Sequence, residues 1–400
     1  MKGSQILCIG FCLSILFISG CWDRKELNDR AIWLATGWDI GENGGVQISG
    51  QIVIPSNIQT QGGGGGTMTK GFFNISESGK DFSDALQNLQ AKLPREAFFG
   101  QRRVVFFGEE FAKRGLKAEL DINNRSPDVS LRTDVFIVKG STAKEALNLA
   151  NPLESHPAVA ALKEHEQSGG RGDTAYLNFL IAANSTGFRP TIPVIEISQS
   201  QERKHSGQQN SANPPLLKIA GAAVFDENLK MIGRLNMKEN RHLLWVMGLL
   251  KKLTISIPQK DGNASIVLTK IDSKIKPIIS KNNRIRFTVF LTGEGALMES
   301  NSGVNVEYSK NLSLLQKSFE KYTQKQVQQT VTKVQKEYGL DIFGLGEVIH
   351  RKHPRQWKTL KNGWDKKFSE AEITVKVDLK IKQIGMSGPS LLFKESEIRK

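Results

Sequence analysis

Residues 372–384 read EITVKVDLKIKQI. Ile373, Val375, Val377, Leu379 and Ile381 fall on one side of an extended chain, and Thr374, Lys376, Asp378, Lys380 and Lys382 on the other, because successive side chains of a strand point to opposite faces. A strand of this kind suits a sheet with one dry face and one wet face, covered by helix on one side only. The cover precedes it. Residues 311–338 carry Leu312, Leu315, Phe319, Tyr322, Val327, Val331, Val334 and Tyr338 at helical spacing with one shift. At 1.5 Å per residue this helix reaches about 40 Å. Its polar face is rich in lysine and glutamine, and it reads as an amphipathic helix lying across a sheet or as a coiled-coil partner.

Three further strands are expected in 253–293, with a turn at Asp261-Gly262-Asn263. Asn236, with Glu239 three residues later, is a capping box that opens a helix through Trp245 to Lys251. Residues 216–225 (LLKIAGAAVF) and the segment ending at Gly233 are two more strands. The C-terminal part is thus expected to be antiparallel strands packed with a long helix, divisible near residue 300.

Before it, residues 199–215 (QSQERKHSGQQNSANPP) hold no large aliphatic or aromatic side chain and end in two prolines. Such a stretch buries too little to offset the cost of ordering, so a domain boundary is placed there. Upstream, strand patterns at 46–54, 72–76, 104–107, 134–138 and 192–197 alternate with helical ones at 82–93, 109–120, 143–149 and 152–184. This alternation of strand and helix argues for a mixed α/β domain. The fold class is therefore α+β or mixed α/β in several domains: 1–20 a signal, 21–198 the N-terminal domain, 199–215 a linker, and 216–400 the C-terminal domain. Gly62 to Gly66 read as a mobile exposed loop, since residues 67–73 look extended rather than helical.

The N-terminal segment 6–21 reads ILCIGFCLSILFISGC. Its apolar run of 13 residues is too short for a bilayer, which needs about 20, and it suits the core of a secretory signal. An aliphatic residue, two small ones and Cys21 form a lipobox, making Cys21 the acceptor of diacylglycerol and of an N-acyl chain, with no other cofactor expected. An ordinary signal with an incidental cysteine and an uncleaved anchor helped by Trp22 are the alternatives. Cys8 and Cys12 leave with the signal, so no thiol remains to pair and packing alone must hold the body. A formal charge of +15 calls for acidic surroundings. Export makes an anionic membrane or membrane partner the expected one, and not nucleic acid.

Signatures of catalysis are missing: Gly-x-Ser-x-Gly, a Walker loop, His-Glu-x-x-His and paired cysteines. His350 and His353 stand among cations, which disfavours a metal. No enzyme is expected. The candidate docking segment is 351–367, with Arg351, Lys352, Arg355, Lys358, Lys361, Lys366 and Lys367 against one acid, Asp365. Trp357, Leu360, Trp364 and Phe368 form one face if the helix is continuous. Such a face is either core, with the lysines merely solvated, or a docking surface for membrane or partner.

Three sets of residues carry a resemblance: Cys21-Trp22-Asp23-Arg24-Lys25-Glu26-Leu27-Asn28-Asp29-Arg30-Ala31, Gly221-Ala222-Ala223-Val224-Phe225, and Asp341-Ile342-Phe343-Gly344-Leu345-Gly346 with His350-Arg351-Lys352 and Trp357. Together they resemble the spore germination Ger(x)C family, the C subunits of nutrient germinant receptors. The resemblance implies a multi-domain mixed α/β lipoprotein on the outer face of the spore inner membrane. It also implies action with two integral-membrane subunits, A and B, and no catalytic residues. Only Cys21 carries over as a functional position. A lipid-anchored solute-binding protein is the rival, and it predicts a deep cleft with converging polar groups.

Overall fold

A computed structural model of the chain describes residues 29–54, 71–125, 129–149, 151–170, 174–198, 215–260, 262–280 and 284–385, with isolated residues at 3, 26, 392, 396 and 398. The lipobox with Cys21, the Gly62 to Gly66 run and nearly all of 199–215 lie outside the described residues.

The first sheet has nine strands: β1 (Arg30–Ile40), β2 (Val46–Val53), β3 (Phe72–Gly79), β4 (Glu96–Phe98), β5 (Val104–Gly108), β6 (Asp134–Lys139), β7 (Thr191–Ile197), β8 (Leu217–Phe225) and β9 (Met231–Asn236). They lie in the order β3-β2-β1-β5-β6-β7-β8-β9, with β4 beside the start of β1. The middle four run parallel and the flanks antiparallel. Helices α1 (Phe82–Gln90), α2 (Glu109–Arg114), α3 (Lys117–Arg125), α4 (Ala143–Asn148), α5 (Pro157–Gln167) and α6 (Tyr176–Ala183) belong to this part of the chain. Two cores result. Val105 and Phe107 of β5 join one, and Val104 and Phe106 the other. Burial on both faces explains why β5 reads as an unbroken apolar run rather than an alternation. Asp39, buried at the end of β1, accepts hydrogen bonds from the Ala143 and Lys144 N–H groups at 2.8 and 3.0 Å, tying the start of α4 to the sheet.

The second sheet runs β10 (Leu253–Gln259), β11 (Gly262–Ile279), β12 (Ile285–Ser300) and β13 (Glu372–Gln383) in that order. Helix α7 (Met237–Met247) precedes it, opened by the expected Asn236 and Glu239 capping box. Between β12 and β13 come α8 (Ser309–Lys333), a π turn (Val334–Tyr338) and three short helices, α9 (Leu345–Lys352), α10 (Pro354–Leu360) and α11 (Trp364–Glu370). Along β13 the inward and outward sets are as the alternation requires, with Ile373, Val375 and Leu379 buried and Lys376, Lys380 and Lys382 exposed.

The mixed α/β class stands, with one correction, the direction of β13. β10 to β12 are antiparallel as expected, but β13 pairs parallel to β12, because the chain returns through a long helical crossover rather than a hairpin. The sheet also does not divide at 199–215: β7 and β8, on either side of it, hydrogen-bond from Thr191↔Val224 to Ile197↔Leu217. Strands β8 and β9 therefore belong to the first sheet, and the second layer begins at Met237. Val224 and Leu235 belong to the core that runs on through the second sheet, and β12 and β13, on either side of residue 300, share that core.

Along its outer edge β13 meets α8 instead of a strand. Gln328 donates to Ile373 O and accepts from Val375 N, both at 2.9 Å, while Leu379 N donates to Glu320 at 3.1 Å and Ile381 N to Gln316 at 3.3 Å. The glutamine-rich face of the helix thus supplies partners that a further strand would otherwise supply.

Candidate functional site

The segment Asp341 to Gly346 sits where the two sheets meet. Asp341 is fully buried. Its carboxylate accepts from Phe343 N at 3.1 Å, Gly346 N at 2.8 Å and the Trp364 indole N–H at 3.0 Å. Its carbonyl accepts from Arg189 N at 2.8 Å, and Arg189 lies in the loop that feeds β7 of the first sheet. Around this contact, Ser185 donates to Glu347 at 2.6 Å and the Arg189 guanidinium pairs with Asp365 at 2.5 Å. Gly346 and Gly187 are in direct backbone contact: a Cβ on Gly346 would stand 2.6 Å from Gly187 Cα, and one on Gly187 would stand 2.8 Å from the Trp357 ring. Both positions require glycine. The effect of this arrangement is to fix one sheet against the other.

Burial pushes the Asp341 carboxyl up to about 6, and hydrogen bonds from Gly346, Leu345, Trp364 and Phe343 hold it from rising further, so the group is ionised at neutral pH. The unfolded chain keeps the ordinary value of 3.8. Between about pH 4 and 6 the native form therefore holds a proton that the unfolded form has lost, and the contribution of Asp341 to stability falls as pH rises. The expected drop is up to about 3 kcal/mol, level above about pH 7. Urea midpoints of the parent and Asp341→Asn across this range isolate it from other titrations; a difference that grows with pH would refute the assignment.

Trp357 and Trp364 are 3% and 2% exposed, and Leu360 and Phe368 are buried with them. As a membrane-facing or partner-facing pair the tryptophans are therefore corrected: they are core. Nor is the helix continuous, for α10 ends at Leu360 and α11 starts after Gly363, whose φ of +66° breaks the run. Their rings meet edge to face at 5.1 Å, and Trp364 stands edge-on to Phe287 of β12. An apolar face framed by lysines has the same periodicity whether it meets protein or lipid, so spacing alone did not separate the two. Arg351, Arg355, Lys358, Lys361 and Lys366 are exposed around this core. Lys352 donates to Ile275 O at 2.6 Å, and Lys367, half-buried, donates to Leu360 O at 3.1 Å and to Asn362 O.

The sequence offered one sign of the joint, an aspartate inside the apolar run 340–343, and its partners at 185–189 carried no signal at all. His350 is exposed, 3.4 Å from Glu347 and stacked on Trp357. Among the described residues, no group of three or more histidine, cysteine, aspartate or glutamate side chains is placed to hold a metal ion, and no helix is long and apolar enough to cross a membrane.

A groove of about 690 Å³ opens between α1, α3 and the β8–β9 turn, lined among others by Lys80, Arg114, Lys117, Glu119 and Lys230. Several of its polar groups serve the fold: Arg114 donates to Gly44 O and Gly45 O at 3.0 Å and pairs with Glu119 at 3.3 Å, and Lys117 donates to Asn228 at 3.2 Å. Asp81 caps α1.

Two family models match in tandem. Residues 23–197 match the spore germination protein N-terminal domain, and residues 220–385 match the spore germination B3/GerAC-like C-terminal domain. They meet on either side of 199–215, so the family divides the chain where composition does, although the sheet crosses that point. Spore germination protein KC of Bacillus subtilis (strain 168) is 28% identical over 398 residues, 95% of this chain and 96% of that protein. Spore germination protein B3 of the same organism is 24% identical over 381 residues, 94% and 96% of the two chains. The crystal structure of the GerBC protein superposes with a TM-score of 0.53 at 20% identity, over 87% of this chain and 96% of that one, which places the fold. With both halves matched and relatives aligned end to end, the chain belongs to the Ger(x)C family of spore germination proteins.

Proposed function

We propose that this chain is a non-enzymatic, lipid-anchored subunit of a spore nutrient germinant receptor, tethered through Cys21 to the outer face of the spore inner membrane and acting with two integral-membrane subunits. The observation that carries the reading is end-to-end similarity to proteins named for spore germination, among them protein KC, protein B3 and protein A3. Geometry supports a role in assembly over one in chemistry: the family motif at 341–346 is a joint, and the exposed cations Arg351, Arg355, Lys358, Lys361 and Lys366 leave a charged surface beside it for docking.

Mass spectrometry of the protein from spore membranes tests the anchor. The mature chain is expected to start at Cys21 and to carry diacylglycerol and an N-acyl chain on it. A different first residue, or an unacylated one, overturns the lipoprotein reading. Co-purification with two integral-membrane subunits tests the receptor reading, and isolation of the chain alone under mild detergent counts against it.

A further inference from the structure

The parallel strands of the first sheet all start at one end. Ala35 of β1, Val104 of β5 and Asp134 of β6 are level with one another, and β7 begins level with β6. β1 reaches five residues further, to Arg30, about 16 Å beyond that level. The first described stretch of chain therefore enters at this end, and only seven residues separate Asp29 from Cys21. Fully extended, that connection spans roughly 28 Å at most.

The same end carries exposed apolar groups framed by arginines. Leu131, in the loop before β6, is 44% exposed, and Leu177 and Ile181, one turn apart on α6, are 43% and 58% exposed. Leu177 N donates to Leu131 O at 3.0 Å, so the three form one patch. Arg103, directly before β5, and Arg132, two residues before the start of β6, are exposed, while the Arg103 backbone is tied down, its N–H to Leu34 O and its carbonyl to Asp134 N. On β4 the half-buried Phe98 lies under the Arg30 guanidinium at 4.3 Å. Asp29 and Glu96 are exposed acids nearby. The loop 184–190, on which α9 to α11 rest, leads into the start of β7, so the basic helices flank this end as well.

From this placement we infer that the strand-start end of the first sheet lies against an anionic bilayer, with Leu131, Leu177 and Ile181 at the headgroup boundary and Arg103 and Arg132 on the lipid phosphates. The choice of occupant rests on charge complementarity and on the short connection to Cys21, and hence on the lipid-anchor reading above. Apolar side chains ringed by arginine suit the interface of an anionic leaflet, where cations add to apolar burial. A second cationic surface, the wet face of the second sheet around Lys274 and Lys376, has no exposed aliphatic cluster of this kind among the described residues.

The test uses the chain from residue 22, which keeps every buried residue from Ala31 to Leu379 and lacks the acyl anchor. Flotation with vesicles of 30% phosphatidylglycerol in phosphatidylcholine is compared with pure phosphatidylcholine. Binding to the anionic vesicles alone is expected, reduced at least tenfold in Arg103→Glu/Arg132→Glu and changed less than twofold in Lys274→Glu/Lys376→Glu. Circular dichroism melts check that both pairs, exposed in the native state, leave the fold intact. No preference for anionic vesicles, equal loss in the two pairs, or co-purification with a membrane protein that depends on Arg103 and Arg132 without vesicle binding each overturns the inference. Because the anchor is absent, a failure here is distinct from a failure of acylation, which the mass of the mature chain reads separately.

Discussion

Asp341→Ala is expected to lower the unfolding free energy at pH 7 by about 3–5 kcal/mol, the range for a buried hydrogen-bond hub rather than for one ordinary bond. Removing the carboxylate leaves Phe343 N, Gly346 N and the Trp364 indole N–H without their acceptor in a place water does not reach. Asp341→Asn keeps the shape but turns an amide NH₂ toward groups that are all donors, so it falls between Ala and the parent. The effect also has a location. Arg189 N donates to the Asp341 carbonyl, and loosening of residues 341–346 should raise hydrogen exchange at Arg189 while the centre of β5 stays protected. A loss below about 1 kcal/mol by urea titration, or uniform exchange across both sheets, would remove Asp341 from its place as the fastening between them.

Trp364→Ala is the second large effect, again about 3–5 kcal/mol, because it opens a cavity between Trp357, Phe287 and the Asp341 carboxylate. Beside it, Lys358→Glu/Lys361→Glu/Lys366→Glu changes three exposed side chains that the core does not use, and each should move stability by no more than about 0.5 kcal/mol. The contrast separates what the sequence left joined. If the tryptophans faced lipid or a partner, the alanine variant would keep its melting temperature and lose attachment. Burial of the pair calls for the reverse, and under the docking reading proposed above attachment changes only in the lysine triple variant. Denaturation curves and membrane co-sedimentation of both proteins, taken together, decide between the two patterns.

Much of the architecture could be read from local pattern. The alternation in 372–384 placed β13 on a one-sided sheet, VVFF at 104–107 marked a strand, and Asn236 with Glu239 opened α7 at the expected residue. Each depends on residues within a few positions of one another. Relations across long separations left no trace. That β13 runs parallel to β12 depends on where a crossover of some seventy residues lands, and that β8 continues the first sheet depends on a pairing across 199–215, a polar run that reads as a boundary. The joint was visible as a motif but not as a joint, since Gly187 and Arg189 contact Asp341, Gly346 and Asp365 from more than 150 residues away. The tryptophan face was legible as a face, and only its surroundings, supplied by β12 and the 184–190 loop, show that it looks inward.

Gln316, Glu320 and Gln328, standing along the margin of β13, have a colloidal consequence. A bare strand margin on a molecule held at high local density would template its neighbours and zip copies into fibres. Here the rungs that such a copy would grip along this stretch are already occupied by side chains of the same molecule, so this margin offers a second copy no backbone to pair with.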